Sequence, residues 1–177
     1  MGYSRKVLDS ISRKFIDAGR TIAVAESVTA GNLQAALSQA KDASRFFQGG
    51  LTAYNLGQKY RHLKVEPIHA EECKCVSAKV AEEMAVNVRH MFLSDLGVGI
   101  TGFATVVPEE GVNELFAYIS IANGEKIAGA WKVKATKTEA AEVQEEYVKV
   151  ILDKIAALKI TRNEKAKGKR KAGAKKQ

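Results

Sequence analysis

Thr21-Ile22-Ala23-Val24-Ala25-Glu26-Ser27-Val28-Thr29-Ala30-Gly31 is the stretch from which the rest of the chain is read. Residues 21–25 are mostly apolar, the pattern of a short buried strand. Small and polar residues follow, and then Asn32-Leu33-Gln34-Ala35-Ala36-Leu37. There Leu33, Ala36 and Leu37 share one helical face, and Thr29 stands where an N-cap is expected. A strand turning sharply into a helix puts Ser27 at the strand's carboxyl end, beside free backbone N–H groups and the positive end of a helix dipole. Such a place favours an anion or a developing oxyanion. The small residues Ala30 and Gly31 let a ligand approach the backbone. An ordinary strand, turn and helix would read the same way. Neither a Gly-x-Ser-x-Gly elbow nor a Walker pattern is present.

A chain of 177 residues suits one domain with a real core, and 46% hydrophobic residues suit a soluble globular protein. No run approaches the roughly 18 apolar residues of a membrane helix. The start, Met1 to Lys6, leads into an amphipathic pattern and not an apolar signal, so a cytoplasmic location is expected. Cys73 and Cys75 are too close together for a redox Cys-x-x-Cys and make half a metal site at most; they read as reduced thiols near a helix start. His62, His69 and His90 have no ligand spacing, and neither a metal nor a cofactor is expected.

Charge divides the chain. Residues 159–177 carry nine Lys or Arg against one acid, Glu164, while 1–158 balances 19 basic against 19 acidic residues. The expectation is a folded domain over 1–158 and a disordered basic tail over 159–177. Such a tail fits weak, salt-sensitive contact with nucleic acid, without base preference because it lacks aromatic residues; a merely solubilising extension is the alternative.

Along the chain, Val7, Leu8, Ile11, Phe15 and Ile16 stripe a helix over 4–18 that stops at Gly19. Gly49 to Tyr54 reads as a second strand. Asn55 caps a short helix to Leu63 that places Lys59 one turn in, and Pro67 closes the region. Ser77 caps a helix with Val80, Ala81, Met84, Ala85, Val88 and Met91 on one face. A glycine-rich strand, Leu96 to Gly102, enters a long loop, Phe103 to Asn113. Leu115–Ile121 and Lys126–Lys134 form a hairpin around Asn123-Gly124, and a helix from Thr138 to Leu158 ends the fold. This order predicts an α/β fold: three layers, α/β/α, around a mixed sheet. Ligands of such sheets lie beyond strand carboxyl ends, where the loops at Ser27, Tyr54 and Thr101 converge on one cleft.

Four collinear pieces carry a family resemblance. Ala25-Glu26-Ser27-Val28-Thr29-Ala30-Gly31, Gly49-Gly50-Leu51-Thr52-Ala53-Tyr54 followed by Lys59, Val76-Ser77 with Val80-Ala81-Glu82-Glu83-Met84-Ala85, and Gly99-Ile100-Thr101-Gly102-Phe103-Ala104 resemble the CinA C-terminal domain family, the nicotinamide-nucleotide amidases. The resemblance implies that family's fold and hydrolysis of the carboxamide of nicotinamide mononucleotide to nicotinate mononucleotide and ammonia. It makes Ser27 the nucleophile and Tyr54 and Lys59 its proton-transfer partners. Glu26, Thr29, Ala30, Gly31, Gly49, Gly50, Thr101 and Gly102 would line the substrate, a small-molecule nucleotide, with Glu26 either orienting the site or capping a turn. Amides near Thr29 to Gly31 would hold the oxyanion. A dimer is the assembly expected.

The sequence also departs from the family. Thr101-Gly102-Phe103-Ala104-Thr105-Val106-Val107-Pro108-Glu109-Glu110-Gly111 replaces a glycine-rich loop, and Lys137-Thr138-Glu139 with Val143-Gln144 stands where arginines usually open the last helix. Ala30 replaces a glycine. The alternative to an amidase is therefore an altered or inactive relative that binds a ligand.

Overall fold

The structure, a computed structural model, describes residues 2–162. Its elements are α1 (Arg5–Ala18), β1 (Ile22–Glu26), α2 (Asn32–Ser38), β2 (Phe47–Thr52), α3 (Leu56–Leu63), α4 (Pro67–Glu72), α5 (Ala78–Met91), β3 (Leu96–Gly102), β4 (Phe116–Asn123), β5 (Lys126–Lys134) and α6 (Ala140–Ala157). Single 3-10 turns lie at Ala43–Arg45 and Pro108–Glu110. The strands make one mixed sheet in the order β2-β1-β3-β4-β5. β1 is parallel to β2 and β3, and the β4–β5 hairpin is added antiparallel. This is the expected α/β architecture.

Alternation along the central strands builds two unlike cores. Ile22 and Val24 of β1 and Leu96, Val98 and Ile100 of β3 join Leu8 and Phe15 of α1, Leu33 and Leu37 of α2 and Tyr147 and Ile151 of α6 in one cluster. The intervening Ala23 and Ala25 join Leu63 of α3, Ala70 of α4 and Val80, Met84 and Val88 of α5 in the other. In β3 the residues facing α5 have no side chain. A Cβ on Gly97 would lie 2.0 Å from the Ala85 carbonyl oxygen, and one on Gly99 would lie 2.2 Å from that of Ala81. α5 thus rests on the bare backbone of the sheet, a closeness that only glycine permits.

Several local expectations hold. α1 stops at Gly19, which takes the left-handed conformation at φ 61°. Asn55 accepts the amide of Gln58 at the start of α3, and Ser77 accepts that of Val80 at the start of α5. Other details differ. β2 begins at Phe47, with the register slipping between Ile22 and Ala23 so that Gln48 is an extra residue before Gly49. The hairpin turn is Gly124-Glu125, because Asn123 already pairs with Lys126. Pro67 opens a helix where a break was expected: it occupies the first turn of α4, and Glu66 accepts the amides of Ile68 and His69. Proline at a first helical position loses no hydrogen bond, so the same residue that ends one helix begins another.

Among the described residues, no helix is long and apolar enough to cross a membrane. Of the expected basic tail, Lys159–Arg162 follow α6 without regular structure, and Arg162 donates to the Asp17 carbonyl at 3.2 Å. Residues 163–177, on which the disorder and nucleic-acid expectations fall, lie outside the described residues.

Candidate active site

Ser27 is fixed by backbone bonds on either side of the strand end. Its amide donates to the Ile100 carbonyl at 3.0 Å, continuing the pairing of β1 with β3, and its carbonyl accepts the amide of Ala30 at 3.1 Å. The chain then turns through two left-handed residues, Ala30 (φ 50°) and Gly31 (φ 99°), into α2. For alanine this conformation costs about 1 kcal/mol relative to glycine.

Glu26 organises this turn. It is fully buried, and its carboxylate accepts the Thr29 hydroxyl at 2.6 Å and the amides of Gly31 at 3.1 Å, Leu33 at 3.0 Å and Gln34 at 2.8 Å. The expected Thr29 N-cap is therefore corrected. The cap residue is Gly31, which has no side chain to offer, and Glu26 reaches from the preceding strand to do the capping. The oxyanion expectation shifts with it. The amides of Ala30 and Gly31 already have acceptors, and among the described residues those left without one in this turn are Val28 and Thr29. Val28 lines the cleft; Thr29 is buried beneath it.

Lys59 arrives from α3, whose first turn is set by Asn55. Its residue is 1% exposed, and its Nζ lies 2.9 Å from Ser27 Oγ and 3.2 Å from the carbonyl oxygen of Tyr54. Neither partner is a carboxylate. Burial holds the Lys59 pKa below the usual lysine value, since desolvation penalises the ammonium. Tyr54 enters through its carbonyl. Its side chain stands at the cleft mouth, 72% exposed, with no hydrogen bond from the phenol to Ser27 or Lys59.

The cleft encloses about 470 Å³, within the range of small-molecule sites. Ser27, Tyr54, Lys59, Thr101 and Gly102 all line it, so the three strand-end loops do meet. Glu26, Thr29, Ala30, Gly31, Gly49 and Gly50 do not. Gly49 and Gly50 lie inside β2, where a Cβ on Gly50 would come 2.5 Å from the Val24 carbonyl oxygen and one on Gly49 would meet the Phe92 ring at 3.0 Å. Gly50 thus permits close packing on β1 and Gly49 on the Phe92 ring, and neither lines the cleft.

Residues that the sequence did not assign to the site complete the wall. Lys74 and Cys75 are consecutive left-handed residues (φ 53° and 61°), and the buried Thr101 hydroxyl donates to the Cys75 carbonyl at 2.6 Å. Cys75 thus faces the cleft, where burial pushes its thiol pKa up against the opposing charge of Lys59. Phe103 is held by α6, because the Tyr147 hydroxyl donates to its carbonyl at 3.0 Å. Gln144 and Ala140 of α6 close the far side. Phe103 and Gln144 fall in stretches the sequence marked as departures from the family, while tertiary packing alone brings in Lys74 and Ala140. Among the described residues, no group of three His, Cys, Asp or Glu could hold a metal ion.

Comparison with known proteins bears on the fold and the family. The CinA C-terminal domain family matches residues 4–159. A competence-damage inducible protein of Desulforamulus reducens is 37% identical over 118 residues, covering 67% of this chain and 29% of that protein. A CinA-like protein of Synechocystis is 43% identical over 86 residues, covering 49% and 21%. The chain spans less than a third of the length of these curated relatives. Among solved structures, a CinA superfamily protein of Enterobacter cloacae superposes with a TM-score of 0.81 at 25% identity, over 88% of this chain and 92% of that one. A competence or damage-inducible protein of Enterobacter asburiae shares the fold with a TM-score of 0.81 at 23% identity, over 89% and 98%. Sequence and fold agree, and the chain belongs to the CinA C-terminal domain family.

Proposed function

We propose that the chain hydrolyses a primary carboxamide of the nicotinamide-nucleotide type, with Ser27 as nucleophile and Lys59 as its base. The observation that carries this reading is the buried 2.9 Å contact between Lys59 Nζ and Ser27 Oγ in an open cleft. A serine hydroxyl attacks well only when a neighbour takes its proton, and a lysine can do so once neutral. Burial of Lys59 acts in that direction.

In this scheme Ser27 Oγ attacks the carboxamide carbon while its proton passes to Lys59 Nζ. The oxyanion meets the Val28 amide, next to the nucleophile. Lys59 returns the proton to the nitrogen as the C–N bond breaks, ammonia leaves, and an acyl-serine remains. Water then attacks the acyl carbon, giving its proton to Lys59, and release of the acid restores Ser27. The Tyr54 carbonyl fixes the amine throughout.

The test is ammonia release from nicotinamide mononucleotide at millimolar concentration, compared with Ser27→Ala. We expect release by the unaltered chain and a loss of at least about a thousandfold in the variant. Absence of any Ser27-dependent release would leave a ligand-binding relative as the better reading.

A further inference from the structure

Carboxylates outnumber unpaired cations around the outer part of this cleft. The N-terminus of α2, which follows Ser27 in the chain, has its Gly31, Leu33 and Gln34 amides committed to Glu26. The start of α3 lines the cleft, and there the Asn55 side chain takes the Gln58 amide. Lys74 is the one cation besides Lys59 among the lining residues, and no arginine lines the cleft. Lys74 is itself engaged, donating to the Glu110 carbonyl with the Glu110 carboxylate 3.9 Å away. The first turn of α6 reaches the cleft through Ala140, but it follows Glu139 and carries Glu142. Glu71 also lines the cleft. Past Phe103 lies a second hollow of about 490 Å³, sharing Phe103, Lys74 and Val76 with the first and edged by Glu72, Glu110 and Glu114.

A dianionic phosphate in either space meets more negative than free positive charge, and a cationic or neutral group does not. Resting on the amidase reading above, we infer that this site takes a carboxamide without phosphate, a nucleoside-like amide in place of the nucleotide. The cationic ring of such a substrate sits beside Ser27, and its uncharged sugar faces Glu71 and the Lys74–Glu110 pair.

The experiment compares nicotinamide riboside with nicotinamide mononucleotide, by kcat/KM for ammonia release and by calorimetric binding of each to Ser27→Ala. The riboside should be preferred about tenfold in both. Glu110→Gln, which frees Lys74 from its carboxylate, should shift the ratio toward the nucleotide about threefold. Preference for the nucleotide, or none, overturns the inference while the amidase reading stands. If neither compound is hydrolysed, the amidase reading falls and the binding arm still decides. Tighter riboside binding then supports the inference; equal or tighter nucleotide binding, or no binding of either, overturns it.

Discussion

The inner and outer walls of the cleft handle charge in opposite ways. The inner wall sets Ser27 and Lys59 in contact out of water, with Lys59 1% exposed and no carboxylate touching its amine. The outer wall keeps its cation wet and neutralised, the Lys74 side chain being 44% exposed beside Glu110. Burial favours the neutral amine at the inner lysine, whereas the outer one stays in water beside its carboxylate. Two lysines of one cleft thus meet opposite surroundings.

The sharpest way to break this contrast is Lys59→Met. Activity should fall about a thousandfold, within the range for removing a general base. Before that substitution, kcat/KM should rise with pH through a Lys59 pKa below the usual lysine value. Stability carries the same signature. Between the lowered pKa and the usual one, the unfolded chain binds more protons at Lys59 than the folded chain does. The unaltered protein therefore gains stability as pH rises through that window. Denaturant melts at several pH values should show that gain, and Lys59→Met should flatten it.

Next in size is Glu26→Ala, which strips the turn beneath Ser27 of its acceptor. Four donors lose their partner at once, and a loss of about 3 kcal/mol in denaturant stability is expected. On the outer wall, Tyr147→Phe leaves the Phe103 carbonyl without its donor and should cost about 1 kcal/mol. Hydrogen exchange would separate the walls: faster at Phe103 and its neighbours, unchanged at the start of α2. The smallest effect is expected from Tyr54→Phe, within about threefold on kcat, because the Tyr54 carbonyl that holds Lys59 survives. A loss near that of Lys59→Met would show that the phenol itself takes part.

The inner wall was the more legible of the two from sequence. The strand ending at Ser27, the Asn55 cap and the four-residue step to Lys59 are local features, and local hydrogen bonds fix them. Glu26 offered both of its readings in advance, orienting or capping, and the structure gives it the cap. The outer wall offered little. Lys74 and Cys75 reach the cleft through a left-handed turn after α4, which leaves no periodic mark, and Gln144, noted only as a departure from the family, through docking of α6. Gly49 and Gly50 fall outside the cleft for the opposite reason, since glycines that admit a ligand and glycines that admit a neighbouring strand or ring look alike in sequence.

Apolar spacing, helix caps and four collinear motifs were enough to determine the α/β order, the mixed sheet and the family, because each is written in neighbouring residues. Tertiary structure alone decided which backbone amides remain free, which lysine is dry, and where the carboxylates stand around the cleft. Those depend on segments far apart in the chain, such as Ser27 against Lys59 and Glu110 beside Lys74, meeting in space. Solvent exclusion and charge pairing arise only from that meeting.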